Sequence, residues 1–189
     1  MRAKGRPDVR LFLRAIRADD GEGLQTYVRR LSPESRYNRF FGGLSELPAS
    51  ELARALAANN RDTVTLLLTS MTGTHETVVG EARAALSCAE RAGEFAISIA
   101  DGWHGLGVGS ALLEDIERRA AADGIEWLFG DVLRTNAGML ALAQSRGFRV
   151  AAGIEPRLVR IEKRLIDAAP DLPCRKWTEI AGRAELRPA

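Results

Sequence analysis

The sequence predicts an α+β domain of the α/β/α type, in which a twisted, mixed and mainly antiparallel sheet lies between helices. Three observations predict it: an isolated first strand, a run of three strands joined by short turns, and a strand that leads through a glycine loop into an amphipathic helix. Strands joined by short turns pair antiparallel, whereas a strand followed by a crossover helix returns to the sheet as a parallel strand. Both kinds of connection in one chain give a mixed sheet.

Length and composition are those of one globular domain. The chain has 189 residues, of which 46% are hydrophobic and 28% are charged, and this is enough to bury a core. We expect the domain to span 9–165. A flexible N-terminus is expected at 1–8, and a tail at 166–189, where prolines recur and periodicity is lost.

Charge and apolar patterning exclude several classes of partner. The formal net charge is only +2 and the basic residues are spread along the chain, which argues against nucleic-acid binding. The N-terminus lacks the apolar run of a signal peptide, and no apolar stretch approaches the ~20 residues of a membrane span. We therefore expect a soluble, cytoplasmic protein with no membrane partner.

Cys88 and Cys174 are far apart in the sequence. They have neither the short paired spacing of a zinc site nor the density of a disulfide scaffold. We expect a reducing compartment and predict no metal site.

The N-terminal third is predicted to contain one strand and three short helices. From Val9 to Ile16 apolar residues alternate with arginines, as in a half-buried strand. Asp19 and Asp20 offer an N-cap to the first helix, Ser32-Pro33-Glu34-Ser35 caps the second, and Pro48 opens the third.

The middle of the chain predicts a three-stranded meander. The strands are Thr63 to Met71, Thr77 to Ala89 and Phe95 to Ala100, separated by turns at Gly73 and at Arg91-Ala92-Gly93. We assign Trp103, which follows the third strand, to the core.

The clearest helix follows the glycine loop. Leu112, Leu113, Ile116 and Ala120 share one helical face, and Gly124 stands where a C-terminal cap is expected. Charged residues are predicted to line the opposite, solvated face: Glu114, Asp115, Glu117, Arg118 and Arg119.

The rest of the domain is predicted to add a strand, a helix and a strand pair. The strand is Trp127 to Leu133 and the helix is Ala137 to Ser145, while Phe148 to Ala152 pairs with Arg157 to Leu165. Trp127 is assigned to the core.

The glycine loop itself predicts an anion-binding site. It reads His104-Gly105-Leu106-Gly107-Val108-Gly109-Ser110 and opens a helix, whose first N–H groups lack internal partners and whose N-terminus carries about half a positive charge. A dinucleotide fingerprint would need glycine where Ser110 stands, and a phosphate-binding Walker loop would need a lysine before a serine or threonine. Neither pattern is met.

The loop resembles the cofactor motif Q/R-x-x-G-x-G/A of the GNAT acetyltransferase superfamily, with His104 in the first position. The resemblance implies a GNAT-like fold in which acyl-coenzyme A binds at the strand, loop and helix of 95–122, with acetyl-CoA as the co-substrate. It places the pyrophosphate on the backbone of Gly105, Leu106, Gly107, Val108, Gly109 and Ser110. It places the pantetheine arm along the strand residues Ile97, Ser98 and Ile99.

The family's second half is resembled by Asp131-Val132-Leu133-Arg134-Thr135-Asn136 and by Arg146-Gly147-Phe148. By this resemblance Asn136 contacts coenzyme A, and the same residue can also cap the helix that follows. Many members carry a tyrosine four residues before that glycine, which protonates the leaving thiolate. Ala143 occupies its place, so the usual general acid is missing.

At a finer level, 9–165 resembles the acetyltransferase domain of Pat-type protein lysine acetyltransferases. The likeness is carried by Leu31 to Tyr37, by Arg39-Phe40-Phe41 and by Glu94-Phe95-Ala96, and those domains also lack the tyrosine. It implies a protein lysine as acceptor, with a small-molecule amine as the variant. A non-catalytic acyl-CoA-binding module remains the alternative, and a monomer and a homodimer are equally open.

Glu94 resembles the family's glutamate base. A lysine amine is almost wholly protonated at pH 7, and freeing its lone pair costs about 4–5 kcal/mol, so a base is useful. We expect Glu94 to act through a water molecule while the amine attacks the thioester directly, with backbone N–H groups near Ile97 polarising the carbonyl. Without the neighbouring motif, a solvated strand-end carboxylate would be the preferred interpretation. A covalent route through Cys88 is disfavoured, because nothing in the sequence brings a histidine to it.

Two further assignments concern residues around this site. Asp101 precedes a glycine and is assigned to a turn. The aromatic and basic residues of the second helix are assigned mainly to packing, although early helices commonly wall the acceptor site in this superfamily: Tyr37, Arg39, Phe40 and Phe41.

Overall fold

A computed structural model describes residues 2–3, 6–57, 62–165 and 184–185. The strands are β1 Arg2–Ala3, β2 Arg6–Ala15, β3 Thr63–Thr72, β4 His75–Ser87, β5 Ala92–Ile99, β6 Trp127–Leu133, β7 Arg149–Ala152, β8 Leu158–Arg164 and β9 Ala184–Glu185. The helices are α1 Gly21–Arg30, α2 Pro33–Phe40, α3 Ala49–Leu56, α4 Val108–Ala122 and α5 Ala137–Ser145.

Within the described ranges, nine strands form one sheet. Its order is β1-β2-β3-β4-β5-β6-β8-β7, and β9 pairs with β2. Every pair is antiparallel except β5 with β6, which α4 connects as a crossover. The predicted mixed, mainly antiparallel sheet is confirmed.

Local turn chemistry explains the meander of β3, β4 and β5. Gly73 turns the chain between β3 and β4 with φ of 59°, and Arg91 turns it before β5 with φ of 50°. Only glycine adopts this left-handed region at little cost, so Arg91 is strained by comparison. Both turns lie where the sequence predicts them.

Two apolar cores lie on the two faces of the sheet. The larger packs α4 against the strands and includes Leu112, Leu113 and Ile116, which are at most 1% exposed. The smaller lies under α1 and α3 and includes Leu24 and Val28. The predicted apolar face of α4 is therefore confirmed, and Gly124 ends this helix with φ of 78° as expected.

The predicted solvated face of α4 is wrong for three of its charged residues. Asp115, Glu117 and Arg119 are buried. Asp115 and Arg119 pair with each other, and Glu117 accepts hydrogen bonds from Lys163 of β8 at 2.7 Å and from Arg146 at 3.2 Å. The side of α4 facing β8 and the end of α5 is covered, and ion pairing makes that burial tolerable.

Helix caps follow the prediction at α2 but not at α1. The Ser32 hydroxyl accepts from the Ser35 N–H at 3.1 Å and caps α2 as expected. Asp20 makes no side-chain cap for α1, because its carboxylate accepts two hydrogen bonds of 2.6 Å from Arg14. The ion pair with Arg14 at the end of β2, together with a hydrogen bond from the Arg17 N–H, thus occupies the carboxylate that the sequence assigned to the cap.

The two ends of the chain are only partly described. Part of 1–8 contributes β1 and the start of β2. In the predicted tail, the described residues Ala184 and Glu185 pair with Leu13 and Phe12 of β2. The remaining residues of the predicted tail, 166–183 and 186–189, lie outside the described residues.

Two other expectations concern the cysteines and the membrane. Cys88, expected in a reducing compartment, is disulfide-bonded in the structure and so offers no thiol. Across the described ranges, none of the helices combines the length and apolar character that crossing a membrane requires.

Candidate active site

An opening in the sheet forms where β5 and β6 separate. β5 pairs with β4 over its whole length, from Ala92 to Ile99, but it pairs with β6 only from Ala92 to Glu94. Gly130 follows Phe129, the last residue of β6 that pairs with β5, and a Cβ built on Gly130 would lie 2.7 Å from the Phe95 carbonyl oxygen. Glycine is needed there for the last close approach, and beyond it the two strands diverge.

The backbone of β5 presents polar groups to this opening. The Phe95 carbonyl faces Gly130 of β6, and strand residues two apart direct their N–H and C=O groups to the same side. The corresponding groups of Ile97 and Ile99 therefore face the opening, past the end of the β6 ladder. His104 already uses one of them, since its Nε2 lies 2.9 Å from the Ile99 carbonyl oxygen.

The glycine loop continues from β5 into α4. Gly105 and Gly107 adopt φ of 71° and 78°, and Gly107 stands at the N-cap of α4 without any side-chain cap. Space around both α-carbons is open, since a Cβ built there would meet nothing within 4 Å. The first N–H groups of α4 thus lie at an uncapped helix start, where an anion is stabilised.

Gly109 differs from the other two glycines of the motif. It lies inside α4, and a Cβ built on it would be 3.2 Å from Cδ2 of Leu142 in α5. Its small size allows α4 and α5 to pack closely.

The second half of the predicted site lies at α5. Asn136 caps this helix, because its Oδ1 accepts from the Met139 N–H at 3.0 Å, so its predicted capping role is confirmed. Ala143, in the position of the missing tyrosine, is 1% exposed and belongs to the larger core. A phenol at this position would have to displace core side chains.

Glu94 lies at the narrow end of the opening. Its side chain is exposed and belongs to the same face of β5 as Ser98, the face covered by α1. Two residues that sequence reasoning did not select as site residues lie beside it, Arg160 of β8 and Asp131 of β6. Arg160 donates two hydrogen bonds of 3.2 Å to Asp131 and stacks on Phe129, with its guanidinium 4.5 Å from the ring centre.

The electrostatics of this corner favour an incoming cation. The hydrogen bond to Asp131 raises the pKa of Arg160, burial opposes the rise, and Glu94 adds to it. Arg160 therefore interacts with the carboxylates of Asp131, Glu94 and Glu162, of which Glu162 also pairs with Arg149 at 2.9 Å. Three carboxylates against two guanidinium groups leave a net negative charge. The period-2 pattern of β8 is the sequence signal that could have pointed to Arg160. Its pairing with Asp131, however, is decided only by strand register.

A second carboxylate on this face is sealed. Glu81 of β4 is 0% exposed and pairs with Arg83 and with Arg39 of α2, the latter at 3.5 Å. Burial lowers the pKa of Arg39 and Glu81 counteracts this effect. Glu81 is engaged by two cations and closed to solvent, so it anchors α2 rather than meeting a substrate.

α1 and α2 cover the same face next to β5. The buried Tyr27 hydroxyl donates to Ser98 at 2.8 Å, and burial raises the pKa of this phenol, so it stays protonated. Tyr37 of α2 is 42% exposed, and Arg157 donates to its hydroxyl at 3.3 Å. The packing role assigned to the residues of α2 is confirmed for Arg39 but is wrong for Tyr37.

The chain matches the Acetyltransferase (GNAT) family over residues 34–148. It belongs to this family. As a GNAT protein it is an acetyl-CoA-dependent N-acetyltransferase, and the strand, loop and helix described above lie inside the matched region. Acetyltransferase PA5475 of Pseudomonas aeruginosa is 26% identical over 138 residues, which cover 73% of this chain and 74% of the relative.

Solved structures show the same fold. The GNAT domain of S. lividans PAT superposes with a TM-score of 0.73 at 28% identity, covering 81% of this chain and 89% of that one. A phosphinothricin acetyltransferase (Pat) from Sinorhizobium meliloti, solved in complex with AcCoA, superposes with a TM-score of 0.67 at 19% identity, covering 92% of this chain and 94% of that one. The latter likeness concerns the fold alone.

Proposed function

We propose that this GNAT enzyme acetylates lysine side chains of proteins by direct attack on acetyl-CoA, with Glu94 as the general base. The observation that carries the proposal is the position of Glu94. It is an exposed carboxylate at the point where β5 and β6 separate, on the face next to α1 and α2.

Acetyl-CoA is proposed to lie in the opening like an added strand. The inward backbone groups of Ile97 and Ile99 hold the pantetheine arm beside Ser98, and the N–H groups from Gly105 to Ser110 hold the pyrophosphate. His104 supports this strand end through the Ile99 carbonyl. Asn136 is proposed to contact the cofactor from the start of α5.

The acceptor ammonium must lose a proton before it attacks. The negative corner formed by Glu94, Asp131 and Arg160 attracts the cation, and a water molecule passes its proton to Glu94. The neutral nitrogen then attacks the thioester carbon while the Ile97 N–H polarises the carbonyl oxygen. The C–S bond breaks, the nitrogen releases its second proton to solvent to form the amide, and the coenzyme A thiolate takes a proton from solvent, since Ala143 offers none.

A protein lysine is favoured as the acceptor by two features. The segment from Leu31 to Phe41 resembles Pat-type protein lysine acetyltransferases, and the PAT domain of S. lividans is similar in both sequence and fold. Tyr37 is also exposed on α2, where it can contact an extended acceptor. A small-molecule amine is the variant.

The mechanism is tested by Glu94→Gln. We expect kcat/KM for acetyl transfer at pH 7 to fall by about a hundredfold or more, the usual worth of a general base, with the Kd of coenzyme A nearly unchanged. Glu90→Gln is the matched control, because Glu90 is an exposed carboxylate in the turn before β5. Equal activity of the Glu94 and Glu90 variants removes Glu94 from the mechanism.

The acceptor is tested by incubating a lysate with the protein and isotopically labelled acetyl-CoA, followed by mass spectrometry. Label on protein lysines supports the proposal, and label confined to small amines supports the variant. Binding of acetyl-CoA without release of the coenzyme A thiol in the presence of any acceptor would indicate a non-catalytic binding module.

A further inference from the structure

The segment between β5 and the glycine loop is joined to the start of α2 by one carboxylate. Asp101 Oδ1 accepts from the hydroxyls of Ser32 and Ser35, each at 2.7 Å, and Oδ2 accepts from the Ser32 N–H at 3.0 Å. The contacts connect residues about seventy positions apart in the sequence. Asp101 therefore does more than fill the turn to which the sequence assigns it.

Both sides of this contact are locally rigid. On the α2 side, the Ser32 hydroxyl that donates to Asp101 also accepts from the Ser35 N–H, so the carboxylate is part of the helix cap. On the loop side, Trp103 is 5% exposed, and His104 is bonded back to the Ile99 carbonyl. Because both sides are held in this way, a displacement of the loop is expected to move the start of α2 with it.

α2 in turn forms a wall of the proposed acceptor site. Arg39 fixes its C-terminal end to the buried Glu81 of β4, and Tyr37 presents its hydroxyl to Arg157 in the connection between β7 and β8. The start of the helix is also held by Asp101, which lies in the segment just before the glycine loop. Of these contacts, only those of Asp101 adjoin the residues proposed to hold the pyrophosphate.

We propose that Asp101 is a positioning residue that couples occupancy of the glycine loop by coenzyme A to the ordering of α2, and so to the acceptor site. This inference rests on the proposed function, since it takes the loop as the pyrophosphate site. When coenzyme A holds residues 105–110, the segment 99–104 is held with it, and the three hydrogen bonds hold the start of α2. A coupling of this kind between two sites is reciprocal, so a bound acceptor tightens coenzyme A binding.

Backbone hydrogen exchange with coenzyme A as the only ligand tests this without an identified acceptor. In the wild type, we expect coenzyme A to slow exchange in 105–112 and also in 33–40, the latter by about fivefold or more. In Asp101→Ala we expect 105–112 to be slowed as before and 33–40 to be unaffected by the ligand. A purely structural role would change exchange in 33–40 to the same extent with and without coenzyme A.

Two further variants keep the test decisive. Ser35→Ala removes one hydrogen bond and retains Asp101, so it should reduce the ligand-induced protection of 33–40 partly. Glu34→Gln is the matched control, because Glu34 is an exposed carboxylate in the same helical turn, and it should respond as the wild type does.

The outcomes separate the coupling from the function. Protection of 105–112 with no effect on 33–40 in the wild type overturns the coupling and leaves the proposed function standing. The same holds if Asp101→Ala keeps the full ligand effect on α2. A wild type whose 105–112 segment ignores coenzyme A overturns the proposed loop assignment, and the coupling with it.

Discussion

At the residue scale, three glycines of the site are required for different physical reasons. Gly107 needs a left-handed backbone at the helix start, Gly130 allows two strands to touch before they part, and Gly109 lets α5 approach α4. The sequence pattern marks the first and third as members of one motif. Only the tertiary structure distinguishes the role in backbone conformation from the role in packing, and only it identifies Gly130.

Gly107→Ala tests the conformational role. Because φ is 78° and the space is open, the methyl group meets no atom but the backbone is strained, so the free energy of unfolding should fall by about 1–2 kcal/mol. Chemical denaturation measures this change. Gly43→Ala is the control, since Gly43 is outside the positive-φ region and is equally open, and its effect should stay within about 0.5 kcal/mol.

Gly107→Glu tests the ligand at the same position. A carboxylate next to a bound diphosphate should weaken coenzyme A binding well beyond the effect of Gly107→Ala, because like charges repel in a partly closed site. Calorimetric titration with coenzyme A compares the two variants. Equal affinities would place the pyrophosphate elsewhere.

At the element scale, α4 shows how packing overrides an amphipathic pattern. Its apolar face is buried as predicted, but part of its charged face is covered by β8 and the end of α5. Asp115 and Arg119 pair with each other within α4, but the burial of Glu117 is tolerated only because Lys163 and Arg146 reach it from later in the chain. Helical periodicity does not encode those partners.

Glu117→Ala should destabilise the protein by about 1–3 kcal/mol, because it leaves Lys163 and Arg146 without their shared acceptor. Glu114→Ala is the matched control on the same helix. Glu114 is 64% exposed and pairs with Arg146 at 3.4 Å, so its removal should cost well under 1 kcal/mol. Thermal and denaturant unfolding measure the loss of stability in each variant. Equal losses in the two variants would contradict the prediction.

The link between α2 and the loop also has a pH signature. Partial burial raises the pKa of Asp101, but the hydrogen bonds from Ser32 and Ser35 outweigh it and lower this pKa from 3.8 to about 2. Because the folded-state pKa is depressed, the stabilisation is present above the unfolded value and is lost as the pH falls through about 2. Unfolding followed between about pH 4 and pH 2 should therefore show a shallower loss of stability in Asp101→Asn than in the wild type.

At the scale of the whole molecule, the sheet separates two cores but belongs to both. Leu113 lies in the core under α4 and Leu24 in the core under α1, and both are 0% exposed. The strands between them contribute side chains to each face. We therefore propose that the domain expected at 9–165 unfolds as one cooperative unit.

Leu113→Ala and Leu24→Ala test this unity. Each should lower the free energy of unfolding by about 2–5 kcal/mol, as expected for a buried leucine. Each should also shift one common transition, observed by circular dichroism and by tryptophan fluorescence. Two separate transitions, with each variant moving only one, would show that the cores unfold independently.

The sequence by itself determined the elements of 9–165, their order and the cofactor motif. Strand alternation, the apolar stripe of α4 and the turns at Gly73 and Arg91 are local properties, so they could be predicted residue by residue. The glycine loop was equally local, since its φ values and its position before a helix follow from adjacent residues.

Only the tertiary structure decided which side chains meet. The pairing of Asp131 with Arg160, of Glu81 with Arg39, and of Asp101 with Ser32 joins residues far apart in the chain, and it depends on strand register and helix placement. The opening after Glu94 likewise arises because β6 stops pairing with β5, which no pattern in either strand encodes. Short-range preferences fix the local backbone, whereas the site is a product of long-range packing.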